Sequence, residues 1–189
     1  MNSDFDRAVL VVIDVQQAFN DARWGIRNNP QAESNVAKLL NQWRTAKRPI
    51  IHIQHSNPKP ESLFNGDGLR VKPEAKPHPG EPILTKNVNS AFIGTDLQQR
   101  LESIGATKVV LVGLTTDHCV ATTARMAGNF GFDTYVVSDA TATFERTGVS
   151  GKHYSPEEMH DTALTSLNKE FATIVATADL TPSPSCDKA

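Results

Sequence analysis

Val109-Val-Leu-Val-Gly-Leu-Thr-Thr-Asp-His-Cys119-Val-Ala-Thr-Thr-Ala-Arg-Met126 is an apolar, β-branched run that ends at a glycine and gives way to a helix-forming segment around the cysteine. The pattern is that of a strand buried on both faces, a tight turn and the start of a helix. A thiol at that junction meets the unpaired N–H groups and positive dipole end of the new helix, which favour thiolate over thiol. A cysteine so placed is also commonly a small buried hydrophobe, so one residue alone decides nothing. Its company does. Asp14 and Lys86 are two further ionisable residues that end apolar, strand-like runs, Ala8-Val-Leu-Val-Val-Ile-Asp14 and Ile83-Leu-Thr-Lys86.

The remaining periodicity alternates helices with strands. Val36, Leu39, Leu40 and Trp43 lie at helical spacing between about Pro30 and Ala46, and Pro49 then breaks into a strand at Ile50–Ile53. A second helix is expected from about Thr95, with Leu97, Leu101 and Ile104 on one face and Gly105 closing it. A strand at Thr134–Val137 follows the helix after Cys119. Ser155-Pro-Glu-Glu158 has the form of a capping box with proline in the first turn. That helix is expected to run through Met159, Ala163, Leu167 and Phe171 to a last strand at Thr173–Ala176. These elements predict an α/β fold: a three-layer, doubly wound, six-stranded parallel sheet of Rossmann-like type. Residues 1–180 are read as a single domain and 181–189 as a polar tail. In such sheets ligands bind beyond the carboxyl ends of the strands, so Asp14, Lys86 and the Gly113–Cys119 turn should converge at one edge.

One segment breaks the rhythm. Between Ser56 and Pro82 the chain has six prolines and three glycines, too long an excursion for a plain connection. Such loops are lids, binding walls or disordered segments. Gly66-x-Gly68 inside it is a loop feature and not a phosphate cradle, since no helix follows at once.

Composition excludes several classes. The 39% hydrophobic and 21% charged residues are those of an ordinary globular protein. A formal net charge of -2 offers no footprint for nucleic acid, and the apolar runs are too short to cross a membrane. The opening residues, Met1 to Asp6, lack the basic start and apolar core of a signal peptide. Cys119 and Cys186 are the two cysteines, so no structural disulfide is expected, and the cytoplasm is the expected compartment.

An aspartate, a lysine and a cysteine at one sheet edge suit acyl transfer. The cysteine attacks a carbonyl to form an acyl-thioester. Asp14 takes the thiol proton, returns it to the leaving amine and then activates water. Lys86 places a positive charge beside both. Each residue taken singly has an ordinary alternative, Asp14 as a turn residue and Lys86 as a solvated strand end.

The runs Val11-Val-Ile-Asp14-Val-Gln-Gln-Ala-Phe19, Thr85-Lys86-Asn-Val-Asn-Ser-Ala-Phe92 and Gly113-Leu-Thr-Thr-Asp-His-Cys119-Val120 resemble the isochorismatase-like cysteine hydrolases. That superfamily includes nicotinamidases and N-carbamoylsarcosine amidohydrolase, and the resemblance covers residues from about 8 to 180. It implies the triad Asp14, Lys86 and Cys119. It also implies a non-proline cis peptide at Leu114–Thr115 that aims the Thr115 N–H, with that of Cys119, at the substrate carbonyl oxygen as an oxyanion hole. A homo-oligomer, dimer or tetramer, is implied by the same resemblance.

One departure from the nicotinamidase branch concerns metal. Those enzymes resemble one another in an Asp-x-His pair after the second strand, with a further histidine. The matching stretch here reads Ile51-His-Ile-Gln-His55-Ser-Asn57, with no aspartate until Asp67. His52, His55 and His78 form a poor metal set without a carboxylate or cysteine, and residues three apart on a strand point apart. No metal and no cofactor are expected. His52 is read as packed in the sheet and His55 as lining the pocket. Phe19, Trp24, Phe64, Phe92 and Leu114 are the other substrate-binding candidates. His118 is expected to be structural and Asp117 to cap the helix after the turn.

The function expected from these residues is metal-independent hydrolysis of a C–N bond in a small amide, carbamoyl or lactam compound. A vinyl-ether hydrolase of the isochorismatase type is one alternative, but it needs the acid Asp14 and no thiol. A non-catalytic binding module on the same fold is another, and such a module has no reason to keep all three residues.

Overall fold

The computed structural model describes residues 5 and 7–180. The polar tail with Cys186 lies outside the described residues. Six strands, β1 (Ala8–Ile13), β2 (Ile50–His55), β3 (Ile83–Lys86), β4 (Lys108–Leu114), β5 (Asp133–Ala142) and β8 (Thr173–Val175), form one sheet in the order β3-β2-β1-β4-β5-β8. Every pairing within it is parallel. A separate antiparallel ribbon, β6 (Arg146–Thr147) with β7 (His153–Tyr154), has no periodic signature and was not expected.

Because β1 is covered on both faces, its alternate residues enter different cores. Ala8, Leu10 and Val12 meet Val36, Leu39, Leu40 and Trp43 of α1 (Ala32–Thr45), and Leu180 of α5 (Thr177–Leu180). Val9, Val11 and Ile13 meet α2 (Leu97–Ser103), α3 (Ala121–Asn129) and α4 (Pro156–Leu167) through Leu97, Leu101, Ala124 and Leu167. This is the three-layer, doubly wound architecture. The strand order reverses between β1 and β4, where a crevice opens at the carboxyl ends.

The local signals hold in detail. Ser155 Oγ accepts from the Glu158 N–H (3.1 Å) while Glu158 Oε2 accepts from the Ser155 N–H (2.8 Å), completing the capping box. Gly105 closes α2 at φ 65°, with its N–H on the Glu102 carbonyl and that of Ala106 on Leu101. Two helix ends differ from expectation. Ile104 is the C-cap of α2 and is 49% exposed, off the buried face. The last long helix stops at Leu167, because Lys169 takes a left-handed turn (φ 68°) and Phe171 instead lies beneath the Arg125 guanidinium.

The proline-rich excursion folds back over the chain leaving β1. The Lys72 N–H donates to the Val15 carbonyl and the Gln17 N–H to that of Arg70. Glu33, at the start of α1, ties this layer down by accepting from Lys72 Nζ (2.6 Å) and Arg27 Nη1 (2.6 Å). Burial alone raises the Glu33 carboxyl, but these two cations outweigh it and hold it down at about 2. A depressed acid contributes stability that is present above its ordinary value of 4.5 and is lost as the pH falls toward 2. Glu33→Gln is therefore expected to lower unfolding stability by up to about 3 kcal/mol at neutral pH. Denaturant titrations of both proteins should converge as the pH falls below about 4.5.

Candidate active site

Three strand ends build the site. Asp14 follows β1 directly, in a left-handed conformation (φ 51°) rare for a residue with a side chain, and its N–H still holds the Ile53 carbonyl at 2.9 Å. Lys86 ends β3, where alternation places Leu84 and Lys86 on the covered side and Ile83 and Thr85 outside. Two strand spacings, about 10 Å, separate β3 from β1, and the long lysine stem spans the gap. Gly113 brings β4 against β1: a Cβ there would stand 1.9 Å from the Ile13 carbonyl oxygen. The Leu114–Thr115 peptide bond that follows is cis.

Cys119 lies in a single π-helical turn, Thr116–Val120, just ahead of α3. Side chains on both sides pin this turn. Thr116 Oγ1 meets His160 Nδ1 of α4 at 2.9 Å. Asp117 accepts from the Thr143 hydroxyl and pairs with Arg146 Nη2 at 3.3 Å. Asp117 thus ties the turn to the strand β5 and its exit, and it does not cap a helix.

The Lys86 ammonium is 2.6 Å from Asp14 Oδ2, 3.2 Å from His55 Nδ1 and 3.3 Å from Cys119 Sγ. Neither the Lys86 nor the Asp14 side chain has any solvent exposure. Burial pushes the Asp14 carboxyl up, against the pull of Lys86. Burial and the negative charge of Asp14 push the Cys119 thiol up to about 12, again against Lys86. Burial and the neighbouring Asp14 thus oppose the thiolate expected from the helix end alone. His55 is driven down to about 4 by burial and by the Lys86 charge, and is neutral.

Above these groups lies a cavity of about 110 Å³. Cys119 and Thr115 form its floor, Phe19, Trp24, His55 and Phe64 its walls, and Asn89 and His118 its rim. The rings form one cluster, with Phe19 5.1 Å from Trp24 and 5.2 Å from Phe64 between centroids, and Phe144 stacked behind at 5.3 Å from Trp24. Phe64 comes from the proline-rich excursion. Two expected members are not there. Leu114 shares a strand face with Val110 and Val112 and packs into the core under α1. Phe92 turns inward against Phe130 (5.2 Å) in the other core. Asn89 and Phe144 escaped the sequence reading, and His118 lines the rim where a structural role was expected.

Gln16 also escaped it. Fully buried, it accepts the His55 N–H (2.8 Å) and donates to the His55 and Leu69 carbonyls (3.0 and 3.2 Å). It thereby clamps the end of β2 and the excursion to the chain leaving β1. Its place three residues after the end of β1 was the available signal.

The Isochorismatase domain model matches residues 8–179. The chain belongs to the isochorismatase family. It is 47% identical over 177 residues to the isochorismatase-family protein YrdC of Bacillus subtilis, covering 93% of this chain and 95% of that one. Nicotinamidase 3 of Arabidopsis thaliana is 32% identical over 183 residues, covering 89% and 84%. A crystal structure of an isochorismatase-family protein from Chromobacterium violaceum superposes with a TM-score of 0.91 at 40% identity, over 95% of this chain and 93% of that one. This isochorismatase-family chain is a hydrolase. No helix among the described residues is long and apolar enough to cross a membrane.

A metal of the nicotinamidase kind does not fit these residues. His52 is buried with its Nε2 on Glu81 Oε2 (2.8 Å), pointing away from His55. Among the described residues, the ligating atoms that cluster are those of Asp14, His55 and Cys119, within 4.8 Å of one another. The Lys86 ammonium already contacts all three and supplies the cation there.

Alkylation of Cys119 checks the electrostatics. Its rate with iodoacetamide is expected to keep climbing above pH 9, whereas the thiol of the unfolded chain levels off near 9.0. Lys86→Met should slow it further, since the one group lowering the thiol pKa is lost. A rate that saturates near neutral pH would show a thiolate at rest.

Proposed function

We propose that the chain is a cysteine-dependent hydrolase that cleaves a C–N bond of a small amide, carbamoyl or lactam compound through an acyl-thioester. The observation that carries this is the Lys86 ammonium in contact with both Asp14 and Cys119, the last at the floor of a cavity. Cys119 sulfur attacks the substrate carbonyl as Asp14 takes the thiol proton, which the raised affinity of the buried carboxyl favours. The N–H groups of Thr115 and Cys119 receive the developing oxyanion. As the C–N bond breaks, Asp14 delivers its proton to the leaving nitrogen. Asp14 then deprotonates water, which attacks the thioester, and returns that proton to sulfur as the acid leaves. Lys86 keeps its charge throughout and holds both partners in line.

Phe19, Trp24, His55 and Phe64 flank the acyl group in this reading. A thiol touching the ammonium favours acyl transfer over vinyl-ether protonation, which has no use for sulfur. The relative named Nicotinamidase 3 bears the name of an amide-cleaving enzyme, which agrees with C–N chemistry. We place the chain in the cytoplasm as a homo-oligomer; light scattering of the purified protein tests the oligomeric state.

Ammonia release from a panel of small amides tests the chemistry. Cys119→Ala should abolish release and keep the fold, and Asp14→Asn should lower turnover by at least ~100-fold. Intact mass should show an acyl adduct on Cys119 with a slow substrate. Full activity in Cys119→Ala would remove the nucleophile, and near-normal turnover in Asp14→Asn would remove the proton shuttle. Activity should also survive a strong chelator.

A further inference from the structure

The walls of the cavity limit what can enter it. A dry cavity of 150 Å³ holds a benzene ring, so about 110 Å³ takes an acyl group of about four or five non-hydrogen atoms. Phe19, Trp24 and Phe64 offer that group ring faces and edges, and Phe144 closes the cluster from behind. A short branched or linear alkyl chain fits such a space.

The charges reinforce the limit. Lys86 is the cation nearest the reacting sulfur, and its ammonium is already directed at Asp14, His55 and Cys119. The Asp14–Lys86 pair is neutral as a unit. His55 faces the cavity as an uncharged imidazole. At the rim, His118 Nε2 is 3.6 Å from Asp117 Oδ2, so positive charge there has a carboxylate beside it. A carboxylate entering on the substrate would lose its water among aromatic rings and meet no lysine or arginine among the residues that line the cavity, an arrangement that folded proteins avoid.

We propose that this site selects primary amides of short, uncharged, apolar acids, with acyl chains of about three or four carbons, and rejects acyl groups that carry a carboxylate. The proposal rests on the amide-hydrolase reading above and narrows it. Asn89 at the rim supplies a donor and an acceptor where the departing amino group meets solvent.

The test compares kcat/KM for isobutyramide, butyramide, benzamide and succinamate, the last being butyramide with its terminal methyl replaced by a carboxylate. Butyramide is expected to exceed succinamate by at least ~100-fold and benzamide by about 10-fold, the scale on which pockets discriminate size and unpaired polar groups. Trp24→Ala opens the wall and should raise the benzamide-to-butyramide ratio by about 10-fold. Phe64→Lys should raise the succinamate-to-butyramide ratio. The wild-type ratios decide the matter even where a variant fails to fold. Succinamate turned over as well as butyramide, with an adduct still on Cys119, would overturn the selectivity and leave the hydrolase reading standing. Turnover confined to amides larger than benzamide would overturn the size limit in the same way. Neither ammonia nor a Cys119 adduct from any amide would overturn both.

Discussion

The ammonium of Lys86 sits out of contact with solvent between a carboxylate, an imidazole and a sulfur. Burying such an ion pair is costly: desolvation of the two charges cancels much of their attraction, and removal of one partner typically destabilises by about 3–5 kcal/mol. The pair therefore persists only because rigid elements deliver both ends. β1 supplies the aspartate and β3 the lysine, and β2 between them fixes their separation by its ladders to each. Everything at the site is arranged around that constraint.

The same pair bears on the state of Cys119. A second negative charge on its sulfur would stand beside Asp14 in a dry pocket, which opposes loss of the thiol proton. Lys86 limits this penalty without removing it. In the proposed reaction that proton is later returned to a leaving nitrogen, which a thiol with an adjacent base suits.

Support for this assembly comes from buried and half-buried polar groups around it. Gln16 holds the end of β2. His160 and Thr143 hold the turn that carries Cys119. Asn29 donates to the Ser138 and Thr141 carbonyls (2.9 and 2.7 Å), where β5 breaks its register with β4. Each satisfies backbone or side-chain groups that would otherwise be stranded. The long excursion contributes in a different way: it is tied to residues 15–17 by backbone hydrogen bonds and lends the cavity one aromatic wall.

The sheet, its winding and the meeting of Asp14, Lys86 and Cys119 were legible in the chain, because strand periodicity and strand ends are local properties and parallel topology sends all such ends to one edge. The capping box at Ser155 and the glycine closure at Gly105 were legible for the same reason. Contacts across the fold were not. Phe92 and Leu114 lie in the motif runs, yet strand alternation and the neighbouring rings turn them into the two cores, while Asn89 of the same run reaches the rim of the cavity and Phe144, from a segment with no such signature, backs its aromatic wall. The charge state of Cys119 shows the division most clearly. Its place near a helix start is written in the sequence, but its proton affinity depends on burial and on a carboxylate 105 residues away, and only the folded chain brings that charge within reach.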